Sequence, residues 1–184
     1  MSRIKKILAC VDFSEYSSMT LEYAMDFAKD TDRQIVAFHV INLRALKGVE
    51  KITNFLPSEA AEKENREKNP LEGIDSSANY LPYDASDEKY IESLREEKKA
   101  AMENLIKDLF SDEKSRIDIK IEAGKPYDAI LKAIETEEAD LVVMANKGRT
   151  DLSRVLFGSS AEKVFRHSPV PVLGVRDKNK FKRK

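Results

Sequence analysis

The sequence predicts an α/β fold: a doubly wound parallel sheet wrapped by helices on both faces. Three observations carry that reading. Near-continuous apolar runs at residues 4–11, 34–41 and 141–144 read as strands buried on both faces, not as the alternating strands of a half-exposed sheet. Segments with helical spacing of apolar residues separate them, and strands alternating with helices imply parallel pairing. The 184 residues suit one domain, long enough to bury a core without disulfide or metal staples.

Each element has its own warrant. Residues 4–11 form the first strand. Ser14 is expected to cap the helix that follows, in which Leu21, Ala24, Met25 and Ala28 recur at helical spacing. Residues 34–41 form the second strand, with His39 in its middle. From about 44 to 86 the periodicity fades among Pro57, Pro70, Pro82 and a charged run, and this stretch reads as an insertion after the second strand with a short polar helix near 58–68. From Asp87 a long helix carries Ile91, Leu94, Ala101, Leu105 and Leu109 as its apolar stripe. Ile117, Ile119 and Ile121 alternate with Asp118 and Lys120, as in a strand nearer the sheet edge. Pro126, after Gly124, opens a helix bearing Ile130, Leu131 and Ile134. A strand at 140–144, a helix at 159–167 and a last strand at 170–175 complete the order. Domain organisation is therefore a single domain over 1–177, interrupted at 44–86, with a basic tail at 178–184.

Composition excludes several function classes. With 35% charged residues and a net charge of −1, the chain has no field to attract nucleic acid or an anionic membrane. One cysteine cannot form an internal disulfide and suits a reducing compartment. The first residues lack the apolar core of a signal peptide, and no stretch is long and apolar enough to span a bilayer. The expectation is a cytoplasmic protein without nucleic-acid or membrane partners.

The most informative segment is 141–175. A buried strand opens into a loop, Ala145-Asn146-Lys147-Gly148-Arg149-Thr150, and the chain re-enters a helix through Gly158-Ser159-Ser160. Small residues let backbone approach a phosphate, and unpaired amides at a helix N-terminus point at it. Ser159 followed by Glu162 also matches a capping box, which would commit the serine to the helix. Lys147 and Arg149 flank Gly148 as candidate phosphate clamps, against the ordinary reading of solvated loop cations. Asp12, at the end of the first strand, offers a carboxylate acceptor for ribose or an exocyclic amine, or else serves the next helix as a cap. His39 reads as a satisfied core histidine, His167 as a cation at a helix C-terminus, and Cys10 as a small core residue. There is no Walker loop, no Gly-x-Gly-x-x-Gly after the first strand, no zinc spacing and no paired acidic site of a receiver domain.

The spacing of Gly148, nine residues, then Gly158-Ser159, with Ala161-Glu162-Lys163-Val164 and the Pro-Val-Pro-Val end, resembles the ATP-binding signature of the universal stress protein family. Asp12 after Ile7-Leu8-Ala9-Cys10-Val11 is similar to that family's first-strand signature. The resemblance implies a five-stranded sheet of order 3-2-1-4-5. It also implies a site: Cys10, Val11 and Asp12 at the adenosine end, the Val40 backbone at the adenine edge, and Ala145 at the ribose with Met144 beside it. Gly148, Arg149, Gly158, Ser159 and Ser160 fall to the phosphates. The ligand would be ATP or AMP, with magnesium as its optional companion. The family pattern has glycine where this chain has Ala145, and an added methyl disfavours positive φ. Nothing supplies a general base or a metal cage, so binding and switching are expected, with at most slow ATP hydrolysis. The last strand, 170–176 from Val170 to Arg176, resembles the family's dimerisation strand and implies a homodimer. A dimeric module that has lost nucleotide binding is the alternative reading, and an enzyme with the insertion as its lid is a third.

Overall fold

A computed structural model of the protein describes residues 4–46, 88–110, 116–146 and 158–177. Most of the expected insertion, including the polar helix at 58–68, and the basic tail lie outside the described residues. The elements are β1 (Lys6–Cys10), α1 (Ser17–Ala28), β2 (Gln34–Asn42), α2 (Glu88–Leu109), β3 (Ile117–Gly124), α3 (Pro126–Thr136), β4 (Leu141–Ala145), α4 (Ser159–His167) and β5 (Val172–Val175). The five strands form one sheet of order β3-β2-β1-β4-β5, and each neighbouring pair is parallel. Both the fold class and the strand order expected from the sequence are observed.

Strand alternation sends successive side chains into two cores. Ile7, Ala9, Val11, Ile35, Ala37, Leu141 and Val143 face α1 and α2, where Leu21, Met25, Met102 and Ile106 complete the layer. Leu8, Val36, Phe38, Val142 and Met144 face α3 and α4, against Ile130, Ala133, Ile134, Ala161 and Val164. Ile7, Leu8, Val142 and Val143 are fully buried, and each contributes roughly 1.5–3 kcal/mol by leaving water.

Local details differ from the sequence reading. The helix α1 begins at Ser17 with Tyr16 at its N-cap, so Ser14 is not the cap. Ser14 instead builds the preceding turn: its Oγ accepts from the Tyr16 amide at 3.3 Å and its carbonyl from the Ser17 amide at 3.0 Å. The expected stripe of α2 missed its centre, for the fully covered residues are Met102 and Ile106, with Leu105 and Leu109 beside them. The last strand starts at Val172, not Val170. Pro171 has no N–H to give the ladder, although its carbonyl accepts from the Val142 amide at 3.0 Å.

Two polar staples hold the end of the sheet opposite the expected site. Arg116 donates from Nη2 to the carbonyls of Ala28 at 2.8 Å, Thr31 at 2.6 Å and Arg33 at 3.2 Å. It thereby joins the Thr31 amide and hydroxyl on the Ala28 carbonyl at the end of α1 and ties the α1–β2 turn to the start of β3. Asp140 accepts the Lys5 and Lys6 amides at 2.7 and 3.1 Å, and these bonds hold its carboxyl below the usual range.

Candidate functional site

Strand order reverses at β1, whose neighbours are β2 on one side and β4 on the other. In an open α/β sheet the crevice beyond the carboxyl ends of the strands at that point is where ligands bind. Cys10, the last residue of β1, pairs with Phe38 and with Met144, so the ends of β1 and β4 meet there beside the middle of β2, which runs on to Asn42. On the α3/α4 face, Cys10 and Val40 are only half-buried and pack against the edge of the apolar core, with Tyr127 of α3. Tyr127 continues the inward stripe of Ile130 and Ile134, and Lys163 of α4 sits 4.5 Å over its ring. An apolar floor with a basic rim therefore lies between the first turns of α3 and α4.

The β1–α1 loop carries the carboxylate. Asp12 Oδ1 accepts the Ser14 amide at 3.0 Å and the Ser17 hydroxyl at 3.3 Å, so the loop orients it. Its charge is felt at Cys10, whose thiol is pushed up to about 12 by burial first and by Asp12 second. Such a thiol stays neutral near pH 7. Val11 points the other way, into the α1/α2 core. Its amide donates to the Phe38 carbonyl at 2.8 Å and its carbonyl accepts from His39 at 2.7 Å. His39 is 7% exposed and is the satisfied core histidine that the sequence suggested.

The other wall is built on Asn146, which sequence reading passed over as a loop residue. Its amide donates to the Val175 carbonyl at 3.1 Å, and its carbonyl accepts the Gly158 amide at 2.8 Å. Its carboxamide oxygen, oriented by its neighbours, accepts from Arg176 Nε and, at 2.8 Å, from Nη2. Asn146 is 5% exposed. This one buried residue ties the end of β4, the edge strand β5 and the N-terminus of α4 together. The signal available in the sequence was a polar residue directly after a buried strand.

At the start of α4 the capping box is not formed. Gly158 is the N-cap, Ser159 is the first helical residue, and among the described residues no side chain caps the helix. Glu162 pairs with Arg166 at 2.8 Å instead of reaching back. Ser159 is exposed at the helix N-terminus, where the partial positive charge of the helix is concentrated.

Of the residues expected at the site, Cys10, Val11, Asp12, Met144 and Ala145 converge on the β1/β4 ends. Gly158, Ser159 and Ser160 are anchored beside β4 by the Gly158–Asn146 bond, and Val40 flanks on β2. Gly148 and Arg149 lie outside the described residues. Ala145 is the last residue of β4, paired with Val175, and it is not among the residues of positive φ. An alanine there is unstrained.

A sequence-family model described as the universal stress protein family matches residues 3–176. A universal stress protein of Methanocaldococcus jannaschii is 31% identical over 180 residues, covering 95% of this chain and 96% of that one. The solved structure of that protein superposes with a TM-score of 0.66 at 29% identity, over 97% of this chain and 100% of the other. A universal stress protein solved in complex with cAMP shares the fold, with a TM-score of 0.51 and 17% identity over 95% of this chain and 98% of its own.

Proposed function

The chain belongs to the universal stress protein family, and from that premise we propose that it is an adenine-nucleotide-binding protein that works as a binding switch. The observation that carries this reading is the set of groups brought together at the carboxyl ends of β1 and β4, where the strand order reverses. Half-buried Cys10 and Val40 offer an apolar seat for a base, Asp12 a fixed acceptor, and α4 an N-terminus that no side chain among the described residues caps. A relative of the same fold solved with cAMP supports the ligand class. Gly148 and Arg149 join Ser159 and Ser160 as the proposed phosphate contacts. Any magnesium would travel with the phosphates, because among the described residues no group of three or more His, Cys, Asp or Glu comes together. Turnover is not part of this reading: Asp12 and His39 are committed to the loop and Cys10 is a neutral thiol. Titration calorimetry with ATP, AMP and cAMP tests it, with a Kd in the micromolar range, about −8 kcal/mol, expected for the preferred ligand. Mass analysis of material that copurifies with native protein identifies that ligand. No heat with any of the three favours the dimeric module without nucleotide.

Ala145→Gly is expected to leave ATP affinity within about twofold of wild type. The β-strand backbone at this position has no need of glycine, and the mutant loses only about 0.5–1 kcal/mol of stability through added chain entropy. A tenfold or greater loss of affinity, measured by calorimetry, would show that the Ala145 methyl packs against the ligand.

The assembly we infer is a homodimer through β5, which ends the sheet and, among the described residues, leaves one side of its backbone unpaired. Identical edges paired about a twofold axis close the assembly. Val175 is buried in its own core at 4% exposure, so it belongs to the fold, and half-buried Leu173 is the better probe. Leu173→Lys should turn a sedimenting dimer into a monomer. A wild type that sediments as a monomer at tens of micromolar refutes this interface.

A further inference from the structure

One buried residue holds both chain neighbours of Asp12. Val11, before it, presents its carbonyl 2.7 Å from Nδ1 of His39; a carbonyl only accepts, so Nδ1 carries the proton. Phe13, after it, lays its ring against the same imidazole, with centroids 4.7 Å apart and planes tilted by 58°. Phe13 has φ 57, a region that an aromatic residue occupies only when its surroundings hold it there. The Lys98 ammonium of α2 lies 5.9 Å from the Phe13 ring centroid, adding a second hold on the loop. His39 itself is fixed, 7% exposed and within a strand paired on both sides.

We propose that His39 is a positioning residue for the nucleotide site: by gripping Val11 and Phe13 it sets the direction of the Asp12 carboxylate between them. A histidine that merely filled the core could satisfy its ring on any nearby carbonyl. Here the hydrogen bond and the ring contact fall on the two residues flanking one candidate ligand contact, in the β1–α1 loop, with Val11 28 positions away. The α1/α2 layer already holds Asp12 through the Ser17 hydroxyl at 3.3 Å, and His39 adds a hold on the residues at either side of it. The ligand half of this inference rests on the nucleotide reading; the positioning half does not.

The Ser14 amide reports the carboxylate without any ligand, because it donates to Asp12 Oδ1 at 3.0 Å. In His39→Leu, which keeps apolar bulk and removes the donor, hydrogen exchange at Ser14 should accelerate about tenfold. His39→Asn, which returns an N–H near the Nδ1 position, should restore most of the protection. ATP affinity should fall about tenfold in His39→Leu and fall no further when that change is added to Asp12→Ala, because the effect runs through Asp12. Wild-type exchange at Ser14 in His39→Leu, or full additivity with Asp12→Ala, overturns the proposal. Should His39→Leu fail to fold, Phe13→Ala removes the other grip and must show the same acceleration and the same non-additivity. A wild type that binds no ATP refutes the nucleotide reading, and Ser14 exchange still decides the role of His39.

Discussion

Gly158→Val is expected to abolish ATP binding, weakening it at least about 100-fold, or ~2.7 kcal/mol, while leaving the domain folded. Gly158 is the N-cap of α4 with φ −65 and ψ 151, an extended conformation open to any L residue. The backbone therefore does not require glycine at this position, and the Gly158 amide can keep its bond to the Asn146 carbonyl. What glycine supplies is a missing side chain where the chain passes from the β4 end into the helix. Two methyl groups there would stand between a phosphate and the first amides of α4. The cost to the fold is small, since valine at an N-cap in place of glycine loses roughly 0.5–1 kcal/mol. A modest fall in melting temperature with a collapse in affinity is the expected pairing. Equal ATP affinity in the two proteins would sink the assignment of phosphates to this helix.

The features legible in the sequence were those that periodicity writes directly. Uninterrupted apolar runs marked β1, β2 and β4 because a central parallel strand buries both faces. Asp12 and Gly158-Ser159 were legible because each stands where a buried run ends or a helix begins. The rest depends on loop geometry or on contacts between distant residues. Ser14 and Ser159 both look like caps by spacing, yet each helix starts one or more residues away from the expected cap. Local turns decide this: Ser14 is spent on the Tyr16 amide, and Gly158 takes the N-cap ahead of Ser159. Met102 and Ile106 were overlooked on α2 because alanine and leucine neighbours trace an adjacent stripe, and only packing against the sheet shows which stripe is central. Asn146 binds backbone groups of β5 and of the α4 N-cap, and Arg116 binds three carbonyls of the α1–β2 connection, and no local pattern encodes such distant partners.

The same remote packing sets the largest stability effect. Gly174→Val is expected to destabilise the fold by about 2–4 kcal/mol, combining overpacking with the loss of a buried hydrogen bond. A Cβ at Gly174 would land on the Asn146 carboxamide and come within 3.0 Å of its Cγ and of Phe165 Cζ. Phe165 is 38% exposed and its ring can swing outward. Asn146 cannot yield as cheaply: it is buried, its backbone is tied to Val175 and Gly158, and its carboxamide meets Arg176. Within the chain, Gly174 is what lets Asn146 lie under β5. Displacing Asn146 would release the anchor of α4, so ATP affinity should fall along with stability, unlike the selective loss in Gly158→Val. The clash predicts its own rescue. Gly174→Ala should cost less in an Asn146→Ala background than in wild type, with a coupling of about 1 kcal/mol in denaturant unfolding. Strictly additive costs would mean that the two residues do not compete for the same space, and that another contact makes glycine necessary on β5.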